Sequence, residues 1–167
     1  RMPLIIQENY TARLAEALKR GELDVIIISL PFEEAGVVAQ PVYDEPFRVL
    51  MPADHPWIDE AEVDAEQLAG DQLLLLGSGN CFRDQVLEVC PSCRNIGGLQ
   101  RTLEGSSLET IKHMVAAGMG VTLVPRLSVP NEALVTQRRR SSDDPHIRYL
   151  PIRGDDGNTP PSRRVVL

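Results

Sequence analysis

All three cysteines of the 167-residue chain, Cys81, Cys90 and Cys93, lie in one stretch, "GSGNCFRDQVLEVCPSC". Thiols in that pattern could form a redox pair, contribute half of a metal site or fill a core. "CFRDQVLEVC" reads as a helix that Asn80, or Ser78 before it, can cap, which puts Cys81 in the first turn. There the positive partial charge of a helix N-terminus favours a thiolate, and Arg83 adds a cation nearby. Cys90 sits near the far end of the same stretch without either influence, so Cys81 is the better nucleophile. The spacing has a second consequence. On one continuous helix, nine steps of about 1.5 Å hold the alpha carbons of Cys81 and Cys90 about 13 Å apart, whereas a disulfide spans at most about 7 Å. A bond between them requires the helix to break, which suits a switch better than a structural staple. "CPSC" at Cys90 and Cys93 is a C-x-x-C, as found in thiol oxidoreductases and in half of a zinc site. Zinc needs four ligands, and His55, His113 and His146 show no ligand spacing with the cysteines, so no structural metal is expected. A thioredoxin-like motif would follow a strand and open a helix, but this one falls at a helix end. An inert, buried role for Cys90 or Cys93 stays open on spacing alone.

The elements that must position these thiols alternate between strand and helix. "PLIIQE" reads as a strand. "NYTARLAEALKRGELD" reads as a helix with Leu14, Ala17 and Leu18 on one face and Gly21 at its stop. "DVIIISL" follows as a β-branched strand without alternation, as expected of a strand covered on both faces. "FRVLMP" and "QLLLLG" are further strands with "AEVDAEQLAG" as a short helical piece between them. "SLETIKHMVAAGMG" is a helix capped by Ser107 and closed by Gly118 and Gly120, and "VTLVP" is a buried strand. Repeated βα units predict an α/β fold with mostly parallel sheets. "QRRRSSDDPH" and "RGDDGNTPPS" read as solvated loops.

Composition narrows the class of function. With 43% hydrophobic and 25% charged residues, the chain can bury a sizeable core as one domain or two small lobes. Its formal net charge of −7 argues against a surface that grips phosphates. No run approaches the 18 or so apolar residues of a membrane span, so no membrane partner is expected. No secretory leader opens the chain, and both ends look cut. An odd cysteine count without a secretory signal fits a reducing compartment, and a cytoplasmic location is expected.

Three segments, "GELDVIIISL", "PVYDEPFRVLMPADHPW" and "MVAAGMGVTLVP", resemble the effector-binding domain of LysR-type transcription regulators along almost the whole chain. "GNCFRDQVLEVC" is similar, more specifically, to the G-H-C-L-R-D-Q motif of the OxyR group of hydrogen peroxide sensors, with a second cysteine nine positions after the first. The resemblance implies two Rossmann-like lobes like those of type 2 periplasmic binding proteins, joined by two crossing strands. Residues 1–43 would be part of lobe I, 44–162 lobe II with the redox cysteines, and 163–167 the return into lobe I. A DNA-binding winged helix-turn-helix would precede residue 1.

The resemblance also implies that Cys81 is the peroxidatic cysteine and Cys90 the resolving one, and that their reversible disulfide activates oxidative-stress genes. Thr11, Asn80, Arg83, Asp84 and Arg164 would belong to the peroxide pocket, with Asn80 standing where the group commonly has histidine. Cys93 lies outside the motif. The implied partners are hydrogen peroxide, cellular thiol reductants, further copies in a homodimer or homotetramer, promoter DNA through the N-terminal domain, and RNA polymerase. No cofactor is implied, and no catalytic turnover. Other readings of the same residues are an ordinary LysR-type effector domain, a solute-binding protein of the same fold, and a thiol oxidoreductase.

Overall fold

The structure, a computed structural model, describes residues 3–95, 104–130, 144–154 and 159–167. Among the described residues, three α-helices form where the apolar spacing predicts them: α1 (Thr11–Lys19), α2 (Cys81–Val89) and α3 (Leu108–Ala116). In α3 the Ser107 hydroxyl accepts from the Thr110 backbone N–H at 3.2 Å, the N-cap anticipated from the sequence. The strands are β1 (Ile28–Ser29), β2 (Pro41–Pro52), β3 (Val63–Asp64), β4 (Leu75–Leu76), β5 (Glu104–Gly105), β6 (Thr122–Pro125), β7 (Ile147–Arg153) and β8 (Ser162–Val166).

β2 organises the molecule. Its first half pairs antiparallel with β8, from Pro41 opposite Val166 to Pro46 opposite Ser162. Its second half pairs antiparallel with β6 on one side and β7 on the other. One strand thereby serves two cores. The larger core gathers Phe47, Leu50, Met51, Leu74, Val86, Ile111 and Leu123 under α2 and α3. The smaller gathers Ile26, Ile28 and Val166 against Leu14 and Leu18 of α1. Where β2 and β8 run side by side, the buried Glu45 accepts from the Arg163 guanidinium at 2.8 and 2.6 Å and from the Leu127 N–H at 3.0 Å. Those bonds offset the cost of burying the carboxylate.

Several local expectations change. "PLIIQE" forms no strand: residues 3–8 carry no regular secondary structure and are exposed, because no described strand lies alongside to complete a ladder. Within "DVIIISL" only Ile28 and Ser29 pair, with Val166 and Val165 of β8. "AEVDAEQLAG" divides into β3 and a 3₁₀ turn, Ala65–Gly70. The expectation of mostly parallel sheets also needs correction, since β2 pairs antiparallel with all three of its neighbours. Among the described residues, parallel pairing is confined to β3 with β7, β4 with β5 and the Leu73–Val121 bridge. Gly120 (φ 146°) permits that bridge, because a β-carbon there would lie 2.1 Å from the Gln72 carbonyl oxygen. Most of the first expected loop (137–143 of 137–146) and part of the second (155–158 of 153–162) lie outside the described residues. Among the described residues no helix is long and apolar enough to cross a membrane.

Candidate functional site

Cys81 is the first residue of α2, and the cap beneath it is the one its sequence allows. Gly79 takes φ 88°, Asn80 is extended, and the Asn80 Oδ1 accepts from the Phe82 N–H at 3.0 Å. The thiol is free and half-buried. It opens into a cavity of about 360 Å³ whose wall includes Thr11 at the start of α1, Asn80 and Ser106. Thr11, Asn80 and Cys81 are therefore brought together although Thr11 is distant in sequence.

The other expected pocket residues lie elsewhere. The Arg83 guanidinium donates to the Leu76 carbonyl at 2.9 Å, anchoring the first turn of α2 to β4. Asp84 is exposed in that first turn, where a carboxylate favours the helix dipole. Arg164 does not line the Cys81 cavity in this structure: its guanidinium pairs with Asp44 at 2.7 and 2.9 Å and lines a different cavity, beside Gln85 and Glu88. Its place in the β8 ladder opposite Asp44 dictates that partner. The hydrogen bond from Arg164 holds the Asp44 carboxyl below the ordinary aspartate value of 3.8 and raises Arg164 in turn.

A side chain overlooked in the sequence belongs to the same machinery. Gln85, third in the "RDQ" triplet, is buried and donates through Nε2 to the Leu30 carbonyl at 3.1 Å. Leu30 packs against the smaller core, so this bond ties α2 to the other lobe. Helical spacing was the available signal: Phe82, Gln85 and Val86 are the buried residues of α2 and share one face. The Phe82 ring meets Phe47 at 5.7 Å between centroids, and the Arg163 guanidinium lies 5.4 Å from its centre.

Cys90 is the C-cap residue of α2 and fully buried. Its sulfur is bonded to Cys93, with 5.4 Å between alpha carbons, while α2 is intact and Cys81 stands nine helical steps away, about 13 Å. Of the two possible partners, only Cys93 is within reach of Cys90 in this conformation. Among the described residues no group of histidine, cysteine and carboxylate side chains could hold a metal ion.

A free thiol on a capped helix start, set between two lobes that share crossing strands, defines a two-lobed α/β effector domain with a candidate redox centre. Residues 1–163 match the family model of the LysR substrate binding domain. The chain is 43% identical over 132 residues to a probable hydrogen peroxide-inducible genes activator of Mycobacterium avium, covering 79% of this chain and 42% of that protein. The reduced regulatory domain of OxyR from Pseudomonas aeruginosa superposes with a TM-score of 0.79 at 47% identity, covering 99% of this chain and 72% of that one. An oxidised form of OxyR gives 0.74 at 34% identity, covering 99% and 71%. The chain belongs to the LysR substrate-binding domain family, in its OxyR branch. It spans less than half the length of the curated activator it matches.

Proposed function

We propose that this chain is the peroxide-sensing regulatory domain of a transcription activator and that it acts as a stoichiometric switch without catalytic turnover. The observation that carries the reading is the free Cys81 thiol on the Asn80-capped start of α2, facing a cavity shared with Thr11, in a chain similar to OxyR regulatory domains. Hydrogen peroxide transfers one oxygen to the Cys81 sulfur, giving a sulfenic acid and releasing water. The Cys90 thiol then displaces that hydroxyl as a second water, and a Cys81–Cys90 disulfide forms. Thr11 and Asn80 line the cavity where peroxide meets the thiol. Arg83 and Asp84 act on α2 itself, through the tether to Leu76 and the helix dipole.

Because the two alpha carbons must close from about 13 Å to about 7 Å, α2 has to unwind. Unwinding withdraws Phe82 and Val86 from the larger core and releases the Gln85 bond to Leu30. The signal thus starts in lobe II and reaches lobe I. We place the lobe boundaries near residues 43 and 162, a reading supported by the Asp44–Arg164 and Glu45–Arg163 register of β2 and β8. In the full-length regulator this change would pass to a homodimeric or homotetrameric assembly, to promoter DNA through an N-terminal domain and to RNA polymerase. Cellular thiols would reverse it in the cytoplasm.

One equivalent of peroxide given to reduced Cys93→Ser protein should yield a mapped Cys81–Cys90 disulfide. Cys81→Ser should lose rapid peroxide consumption. Equal consumption by Cys81→Ser would defeat the proposal.

A further inference from the structure

We propose that Cys93 is a second resolving thiol, which takes Cys90 over from Cys81 by disulfide exchange and lets α2 re-form while the chain stays oxidised. The inference rests on the peroxide-sensing reading of Cys81. α2 ends at Val89, and the 3₁₀ turn Pro91–Asn95 folds the chain back so that the Cys93 N–H donates to the Cys90 carbonyl at 3.0 Å. The Ser92 hydroxyl donates to Glu66, and the Arg94 guanidinium to the Leu87 carbonyl. Cys90 and Cys93 are both buried in the larger core, 0% and 6% exposed.

Two disulfides therefore compete for one sulfur under unequal structural demands. The Cys90–Cys93 bond coexists with an intact α2, with Phe82 and Val86 buried and Gln85 bonded to Leu30. The Cys81–Cys90 bond requires all three to be given up. The wider loop of Cys81–Cys90 also costs slightly more chain entropy to close, a logarithmic effect smaller than the burial of two core side chains.

The exchange balances without an outside reagent. The Cys93 thiolate attacks the Cys90 sulfur, the Cys81–Cys90 bond breaks, and its electron pair leaves on the Cys81 sulfur. The proton lost by Cys93 is made up at Cys81 through solvent. The product keeps the two oxidising equivalents delivered by peroxide but returns Cys81 as a thiol. Any further sulfenic acid at Cys81 then finds Cys90 occupied. The structural signal ends before the protein is reduced, and a reductant must reopen Cys90–Cys93 before the domain can respond again.

Reduced protein given one equivalent of hydrogen peroxide, alkylated at intervals and mapped by mass spectrometry, tests this directly. Cys81–Cys90 should appear first and decay into Cys90–Cys93 as Cys81 regains alkylation, the second bond ending in more than about tenfold excess. In Cys93→Ser and Cys93→Ala the first bond should persist. A final wild-type product bonded Cys81–Cys90, with Cys93 alkylated throughout, would overturn the proposal. A second arm keeps it distinguishable from the sensing reading: wild-type protein equilibrated in a glutathione redox buffer, without peroxide. Cys90–Cys93 with free Cys81 supports the exchange, and Cys81–Cys90 refutes it, whatever the peroxide kinetics of Cys81→Ser reveal about sensing.

Discussion

Replacing Phe82 with alanine measures whether α2 leaves its seat on oxidation. Phe82 is 7% exposed, packed on Phe47 and covered by the Arg163 guanidinium. If forming Cys81–Cys90 withdraws this ring, its burial stabilises only the reduced state, by roughly 1.5 to 3 kcal/mol. Phe82→Ala removes that preference, so the disulfide becomes easier to form and the midpoint potential moves to more negative values. For a two-electron couple, about 30 mV corresponds to 1.4 kcal/mol, which puts the shift at roughly 30 to 65 mV. The cavity left by truncation raises the loss of the reduced fold to about 3 to 5 kcal/mol, which carries the upper end of the shift to about 110 mV. Phe82→Leu serves as a milder variant with the same sign. The assay is a glutathione titration in the Cys93→Ser background, where Cys81–Cys90 is the sole internal disulfide, with urea unfolding of the reduced protein in parallel. A lowered urea midpoint with an unchanged redox midpoint would show that Phe82 keeps its place in both states, and the helix-melting mechanism would be wrong.

Further expectations concern the same region. Hydrogen exchange should show protection falling or redistributing across residues 80–90 on oxidation of Cys93→Ser to Cys81–Cys90, while α3 stays protected; identical exchange in both states would count against unwinding. Asn80→Ala deletes the acceptor for the Phe82 N–H and should lower reduced-state stability by about 1 kcal/mol in urea, whereas Asn80→Asp should retain most of it. Arg164→Gln should raise the titration of Asp44 toward its ordinary value, read by carboxyl carbon NMR, because the Arg164 hydrogen bond is the main cause of its depression. The sign follows from linkage: a carboxyl depressed in the folded state adds stability above its unfolded value and loses it as pH falls through the folded value. Any contribution from this exposed pair therefore disappears only on the acid side of 3.8.

Local chemistry explains what could be read before any fold was known. A cap depends on residues within one turn of it, so Asn80 before Cys81 and Ser107 before α3 were legible as helix starts, and the thiol at the first position of α2 with them. The nine-position spacing made an intact helix incompatible with a Cys81–Cys90 bond, a matter of helical rise alone. The alternation of strand and helix, and with it the α/β class, follows from apolar periodicity. Strand pairing does not: whether "PLIIQE" or "DVIIISL" joins a ladder depends on a partner elsewhere, and β2 found three antiparallel neighbours where repeated βα units suggested parallel ones. Distance along the chain hid the rest. Glu45 meets Arg163 and Asp44 meets Arg164 across the β2–β8 ladder, which sent Arg164 away from the cavity expected to hold it. Gln85 could be placed on the buried face of α2 from spacing, but its bond to Leu30, 55 residues away, required both lobes to be assembled. The same division holds for the sulfurs. Sequence made Cys81 the better nucleophile at a helix start, and tertiary structure decided that Cys90, at the other end, faces Cys93 while that helix is whole, because a 3₁₀ turn brings the pair within 5.4 Å and helical rise keeps Cys81 away.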